Sequence, residues 1–264
     1  MKLLKATSFL IILIHAFLTP SFAAHPLITD DTGTQGKGKF LFELNSQTGY
    51  GTERSGEGVT ANITAKERET ELKAALTYGV IDNLDVILTL PYQWKEAEVG
   101  DATVSDVSGI ADISVEVKWH FFEKDGLSFA IKPGITLPAG DKDKDLGTGR
   151  AAGTLYLITT KDIDPWAFHL NLGYKRNENS IDEREDIWHA SLAGEFKIMK
   201  KLKLVANIGA ERNTDKLSDT NPAFILGGFV YSIRENVDID FGVKGGLNKA
   251  EADITYLAGM ALRF

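Results

Sequence analysis

The sequence predicts an all-β fold, a transmembrane antiparallel β-barrel of about 12 strands with short periplasmic turns and longer external loops. Three patterns predict this fold: apolar residues recur at every second position in about twelve segments, the connections alternate in length, and aromatic residues gather near segment ends. Successive side chains of a strand point to opposite faces. Each segment therefore offers one apolar row to lipid and one mostly polar row to a lumen.

The segments follow one another along the whole chain from Phe40. The next is centred on residues 71–78, and the later ones cover residues 84–95, 109–121, 127–137, 150–160, 166–176, 186–198, 202–212, 223–233, 237–247 and 253–264. In the segment 109–121, Ala111 begins an apolar row that alternates with charged residues. Only the segment 223–233 has an ambiguous phase.

The connections alternate between long and short. Long ones fall at residues 51–66, 96–108, 138–149, 177–185 and 213–222, and short ones at 79–83, 122–126, 161–165, 199–201 and 234–236. Short periplasmic turns and longer external loops are typical of outer-membrane barrels, and an even number of strands returns both chain ends to the periplasm.

The last segment is the most informative, because an apolar residue occupies every second position up to the final phenylalanine. An exposed edge of this kind would recruit other chains in water, whereas a closed barrel in lipid requires such a strand. The candidate outer-membrane assembly signal, which the barrel-assembly machinery would bind, consists of Tyr256, Met260, Leu262 and Phe264.

Aromatic residues mark two depths, as expected where hydrocarbon meets headgroups. Those at the loop ends of the segments are Tyr50, Tyr92, Trp94, Tyr174, Trp188 and Tyr256. Those at the turn ends are Phe40, Tyr78, Trp119, Phe121, Trp166, Phe168, Phe196, Tyr231 and Phe264. A soluble β-sandwich or lipocalin-like barrel would bury its rings and does not predict this banding.

The N-terminus has the pattern of a secretory signal peptide. Lys2 and Lys5 precede an apolar run over residues 8–18, and small residues allow cleavage after Ala23. The rival interpretation is a membrane anchor, but the run has about 11 residues where a helical span needs roughly 20. The predicted organisation is a signal peptide (1–23), a flexible N-terminal segment or lumen plug (24–39) and one outer-membrane barrel (40–264).

Composition excludes several classes of function. The 264 residues include no cysteine and carry a net charge of -8, or about -10 once the signal peptide is removed. An acidic chain argues against a nucleic-acid partner. Absence of cysteine excludes thiolate metal sites and a cysteine nucleophile, and we expect neither a cofactor nor a metal.

The row opposite the lipid face should line the lumen, and it is densely polar with both charge signs interleaved. These groups either border a water-filled passage or pair across a narrow interior and seal it, and a barrel of this size permits both. The lumen-lining candidates are Glu43, Asn45, Glu71, Lys73, Asp112, Glu116, Lys118, Lys132, His169, Asn171, Lys175, His189, Glu195, Lys203, Asp238, Asp240, Lys244 and Arg263.

Two smaller patterns suggest chemistry. Asp141, Asp143 and Asp145 have the initial spacing of a calcium loop, but Ala152 stands where that loop has a glutamate, which favours a solvated acidic loop. His189 and Ser191 lie two apart on one strand, as in outer-membrane lipid hydrolases whose imidazole takes the serine proton. The strand phase turns this pair toward the lumen, away from lipid.

Three blocks carry a resemblance to a known family. They read HPLITDDTGTQGKGKFLFE at residues 25–43, GIADI at 109–113 and LPAGDKDKDLGTG at 137–149. This sequence resembles the outer-membrane family named after the meta-pathway of phenol degradation, whose members are often called transporters. The resemblance implies uptake of small aromatic or other hydrophobic molecules and no catalytic residues.

The expected function is that of a channel or uptake pore in the outer membrane of a Gram-negative bacterium, open to small solutes by passive diffusion and without enzymatic activity. Two alternatives stay open: a sealed barrel with a structural or adhesive role, and a lipid hydrolase built on Ser191. Expected partners are outer-membrane lipid, lipopolysaccharide and the barrel-assembly machinery, with a small-molecule solute that the sequence does not identify.

Overall fold

The computed structural model describes residues 25–54, 64–100 and 102–264; the predicted signal peptide lies outside them. The strands in these ranges are β1 (Phe40–Arg54), β2 (Thr64–Ile81), β3 (Leu84–Val99), β4 (Ala102–Ile110), β5 (Ile113–Lys124), β6 (Leu127–Leu137), β7 (Ala152–Ile163), β8 (Trp166–Arg176), β9 (Asp186–Met199), β10 (Leu202–Glu211), β11 (Ala223–Arg234), β12 (Val237–Gly246) and β13 (Ile254–Arg263). A 3-10 helix, Lys142–Lys144, lies between β6 and β7. No helix within the described ranges is long and apolar enough to cross a membrane.

Twelve of the described strands close into an antiparallel ring, which confirms the predicted barrel. Each strand of the ring pairs with its neighbours in the chain, except that β3 pairs with β5 and skips β4. The ring closes between β1 and β13, from Leu41 opposite Arg263 to Tyr50 opposite Ile254. At the turn end, Phe40 N donates to Phe264 O at 2.7 Å and Phe264 N donates back to Phe40 O at 3.0 Å.

The outer surface of the ring is apolar and aromatic. Alternate residues of β8 show the pattern, since Leu170 and Leu172 are exposed whereas His169 and Asn171 between them are buried. Aromatic rings cluster at both ends of the strands. At the turn end, for example, the ring centroids of Phe40 and Tyr78 are 4.7 Å apart. An outer face of this composition is stable in hydrocarbon and would aggregate in water.

The prediction of a loop over residues 96–108 is wrong. β3 continues to Val99 and β4 returns beside it as a hairpin, with Gly100 at φ 65° in the turn between them. The predicted strand 109–121 is accordingly divided at Ala111, which is buried and therefore not part of the outward apolar row. Beyond Trp94 this hairpin is rich in polar and charged residues, so its sequence carries no apolar alternation.

The structure resolves the phase of β11. Phe229 and Tyr231 face outward and are exposed, whereas Phe224, Leu226 and Val230 face inward and are buried. Both faces are apolar because the inward one packs against protein: Phe224 and Leu226 form a cluster with Leu257 of β13. One stretch of the lumen wall is therefore apolar.

The four tryptophans of the sequence allow a test of the outer face. Trp94, Trp119, Trp166 and Trp188 are all exposed on it, at 41% to 48%. In bilayers of lipids with brominated acyl chains, their fluorescence should be strongly quenched, while acrylamide in the water should quench little. Strong acrylamide quenching with no effect of bromine would contradict the lipid-facing assignment.

Candidate functional site

The predicted lumen residues are mostly sheltered from solvent. Of the eighteen candidates, the buried ones are Glu71, Lys118, His169, Asn171, Glu195, Asp238 and Asp240. The half-buried ones are Glu43, Asn45, Asp112, Glu116, Lys132, Lys175, His189, Lys203, Lys244 and Arg263, while Lys73 is exposed. Asp112 lies outside the strands, in the link from β4 to β5, and its carboxylate accepts hydrogen bonds from the backbone N–H groups of Gly140 and Thr148.

Residues 25–39, the N-terminal segment, run inside the barrel. The segment enters at the turn end of β1, where the N–H of Gln35 donates to the carboxylate of Asp85 at 3.0 Å. It then reaches the opposite wall, where the Thr32 hydroxyl lies 2.6 Å from that of Ser128 and the Thr32 N–H donates to Thr160. The segment thus crosses the lumen rather than extending into the periplasm.

Asp30 is the charged anchor of the segment. Its carboxylate accepts hydrogen bonds from Lys118 Nζ at 2.8 Å and from Lys132 Nζ at 2.9 Å. The Asn171 amide pairs with the Asp30 backbone in both directions, each at 2.8 Å. Burial alone would raise the pKa of Asp30, but the two ammonium groups hold it well below its usual value. The carboxylate is therefore ionised at any physiological pH.

The neighbouring carboxyl, Asp31, is in a different environment. One oxygen accepts the Gly33 N–H at 2.6 Å and lies 3.9 Å from Lys118 Nζ. The other oxygen is buried and has no hydrogen-bond partner within the described ranges. Burial raises the pKa of Asp31 to about 7. Below that pH the group is mainly a neutral acid.

Beyond Asp30, short polar side chains hold the chain in place. Asn207 Oδ1 accepts the N–H groups of Ile28 and Thr29 at 2.8 and 3.1 Å. The Thr29 hydroxyl donates to Ser191 Oγ at 2.7 Å and accepts from Asn207 Nδ2 at the same distance. Farther along, His25 Nδ1 lies 2.6 Å from Asp240 Oδ1. The Asn207 bonds satisfy backbone N–H groups of the segment, which has no neighbouring strand to pair with them.

Close packing completes the fit of the segment. Leu27 packs against the apolar cluster of Phe224, Leu226 and Leu257. Pro26 lies so near the wall that a Cβ at Gly242 would come within 2.7 Å of it. A Cβ at Gly79 would lie 1.9 Å from the Gly36 carbonyl oxygen. Glycine is required at these wall positions because protein backbone or a rigid ring occupies the space of a side chain.

Sequence reasoning missed several of these contacts. Ser128 and Thr160 lie on inward faces but carry no charge, so nothing distinguished them from ordinary strand residues. The signal available for both residues was the alternation along their strands, which places them on the inward faces. The apolar cluster that receives Leu27 was hidden by the ambiguous phase of β11.

His189 and Ser191 are joined by a hydrogen bond, with Nε2 and Oγ 3.0 Å apart, and Glu211 Oε2 lies 3.5 Å from His189 Nδ1. Ser191 faces the lumen and is buried behind Thr29. On the two neighbouring strands, the residues opposite Ser191 are Asn171 and Gly209. The backbone around Ser191 is therefore part of the regular sheet. A phospholipid outside the barrel does not reach this hydroxyl.

The acidic loop is held by its own contacts. The Asp141 side chain accepts the Asp143 N–H at the start of the 3-10 helix, and Asp145 binds Lys95 Nζ at 2.9 Å. Across the described ranges, no group of three or more His, Asp or Glu side chains is arranged to hold a metal ion.

The N-terminal segment leaves space along the wall formed by β1 and β2. An outer cavity of about 840 Å³ lies between that wall and residues 249–253. An inner cavity of about 330 Å³ lies between the wall and the segment itself. Gln47 lines both cavities.

Solved structures share this architecture. An outer-membrane channel from Pseudomonas putida F1 superposes with a TM-score of 0.69 at 14% identity, covering 89% of this chain and 98% of that one. The translocator domain of the autotransporter NalP from Neisseria meningitidis gives a TM-score of 0.53 at 14% identity, covering 87% and 89%. Identities this low establish the fold of outer-membrane barrels. No curated protein sequence matches this chain significantly.

The family comparison extends over nearly the whole barrel. The family model described as "Putative MetA-pathway of phenol degradation" matches residues 29–264, which confirms the resemblance seen in the sequence. That span includes most of the N-terminal segment and all the described strands. With its closed ring and apolar outer face, this protein is an outer-membrane β-barrel that belongs to the family of the MetA pathway of phenol degradation.

Proposed function

We propose that this protein is an outer-membrane channel through which small solutes, including aromatic ones, enter by passive diffusion. The observation that carries the proposal is the space beside the N-terminal segment, because cavities of about 840 and 330 Å³ lie along one wall of a polar lumen and share Gln47 in their lining. Volumes of this order accommodate small molecules. The aromatic solute class is inferred from the family description and from no single pocket.

The N-terminal segment acts as a plug that narrows this channel. Its contacts with β3, β5, β6, β8, β9, β10 and β12 cover most of the lumen wall. The described segment joins the barrel wall at Phe40, at the turn end of β1, so it can leave through that end while the ring stays closed. Selectivity then depends on narrowness and on lumen charges.

The C-terminal strand is the part that the barrel-assembly machinery would bind. Tyr256, Met260 and Phe264 are exposed on the outer face, and Leu262 is half-buried beside them. Lipopolysaccharide would meet the external loops, where charged residues are frequent. Both partners are proposed from the chemistry of these surfaces.

Single-channel recording in planar bilayers tests the channel and the plug together. The mature chain should give small current steps, and a variant lacking residues 25–38 should give steps several-fold larger, because the lumen then conducts over its full width. Gly79→Ala, which places a methyl group against Gly36, is a second way to displace the segment.

Folding of each variant is checked by its heat-modifiable migration in gels. Equal conductance of the mature chain and the deletion variant would contradict the plug. Absence of steps in every folded variant would favour the sealed structural or adhesive barrel. Fatty-acid release from detergent-solubilised lipid that is lost in Ser191→Ala would instead support the hydrolase.

Neutralising the anchor should loosen the plug. Asp30→Asn leaves Lys118 and Lys132 without their common carboxylate, which should weaken seating by about 2 kcal/mol once partial exposure is allowed for. That corresponds to roughly thirtyfold more time in the wide conductance state.

Asp31→Asn is the matched control, recorded at pH 6. Because the pKa of Asp31 is raised to about 7, its carboxyl is mainly protonated at that pH and the amide resembles it in charge and shape. The control should behave like the unmodified chain. An equal effect of both substitutions would show that Asp30 is not a specific anchor.

A further inference from the structure

Both cavities lie along the same wall of the plugged barrel. The inward face of β1 and β2 borders both cavities, from Gly51 and Glu67 at the outer end to Leu41 and Thr77 at the turn end. The N-terminal segment forms the other side of the inner part. Open volume is therefore present along this wall while the segment is in place.

Carboxylates outnumber cations in the lining of these cavities. Glu67, Glu69, Glu251 and Asp253 line the outer cavity, against Lys244 and Lys249. Lys244 is neutralised by Glu251, whose Oε1 lies 2.7 Å from its Nζ. No cation within the described ranges pairs with Glu67, Glu69 or Asp253. The outer cavity therefore has an excess of negative charge.

In the inner cavity, the cations are already paired. Lys73 lies 2.8 Å from Glu71, and Lys118 and Lys132 bind Asp30. Arg263 Nη1 lies 2.7 Å from Asp238. These pairs remove most of the positive charge that a passing anion could use.

Two carboxylates of the inner cavity, Glu43 and Asp85, have no cationic partner within 4 Å in the described part of the chain. Asp85 is buried and accepts the Gln35 N–H. Glu43 is half-buried and borders the cavity, and its carboxylate has no hydrogen-bond partner among the residues described. It is the unpaired carboxylate most available to a solute in the inner cavity.

Unpaired carboxylates in a narrow passage between low-dielectric walls concentrate cations and repel anions. We propose that the plugged barrel conducts along β1 and β2 and prefers small inorganic or organic cations to anions, with Glu43 the main determinant of that preference. This inference rests on the proposed channel function and specifies its route and its charge selectivity.

The reversal potential in a KCl gradient across a planar bilayer tests the charge preference. The mature chain should show the sign of a cation-preferring pore. Glu43→Gln should move the potential toward zero, and Glu43→Lys should move it further, toward anion preference. Glu69→Gln should give a smaller shift, because Glu69 lies in the wider outer cavity.

Glu211→Gln is the matched control. Glu211 is a carboxylate on the inward face of β10 and lines neither cavity, so the reversal potential should not change. Anion preference of the mature chain, or a Glu43→Gln potential equal to that of the unmodified chain, would overturn the proposal.

The route itself has an independent test at Gln47. Gln47→Trp should lower the conductance of the plugged channel, because the larger side chain takes up space in the cavities that Gln47 lines. Unchanged conductance in this variant, or current steps that occur only after removal of residues 25–38, would contradict the route while leaving the channel function intact. Absence of steps in all folded variants would refute the channel and, with it, this inference.

Discussion

The structure depends on the closure of β1 against β13. Hydrocarbon offers no hydrogen bonds, so each backbone N–H and C=O group in the membrane needs a partner within the protein. A ring without an edge satisfies this requirement, and the reciprocal bonds of Phe40 and Phe264 complete it at the turn end. Once the ring is closed, alternation separates a lipid face from a lumen face, and within the hydrocarbon layer the charged residues lie on the lumen face.

The lumen face must in turn satisfy its own polar groups, and the N-terminal segment contributes to this. Asn171 and Asn207 each bond to its backbone, and Asp30 neutralises two lysines of β5 and β6. Plugging and charge compensation therefore arise from the same contacts. The side of the barrel that the segment does not cover keeps unpaired carboxylates and open volume.

Alternation made most of the ring predictable from the sequence, since a period of two assigns every residue of a strand to a face. The exceptions have physical causes. The β3–β4 hairpin carries charges such as Lys95, Glu96 and Asp106, so no apolar row identified it. The phase of β11 was ambiguous because the inward Phe224 and Leu226 are as apolar as the outward residues. Alternation is visible in a sequence where a strand has lipid on one face and a polar lumen on the other. These two places do not meet that condition.

The pairs formed by charged residues in the lumen could not be predicted from the sequence, for a different reason. Asp30 binds lysines that are 88 and 102 residues away, and no local pattern selects them from the other cations of the lumen. The glycine-rich composition of residues 33–38 fitted a free leader as well as an inserted one. Only the three-dimensional course of the segment distinguishes the two.

Gly79 and Gly242 allow these observations to be applied to other chains of similar sequence. Each stands where the inserted backbone or Pro26 contacts the wall without room for a methyl group. In a related barrel with bulky residues at both positions, the N-terminal segment could not occupy the same place in the lumen, whatever its composition. Two wall positions thus give a steric criterion for recognising, from an aligned sequence alone, which relatives can adopt an occluded interior.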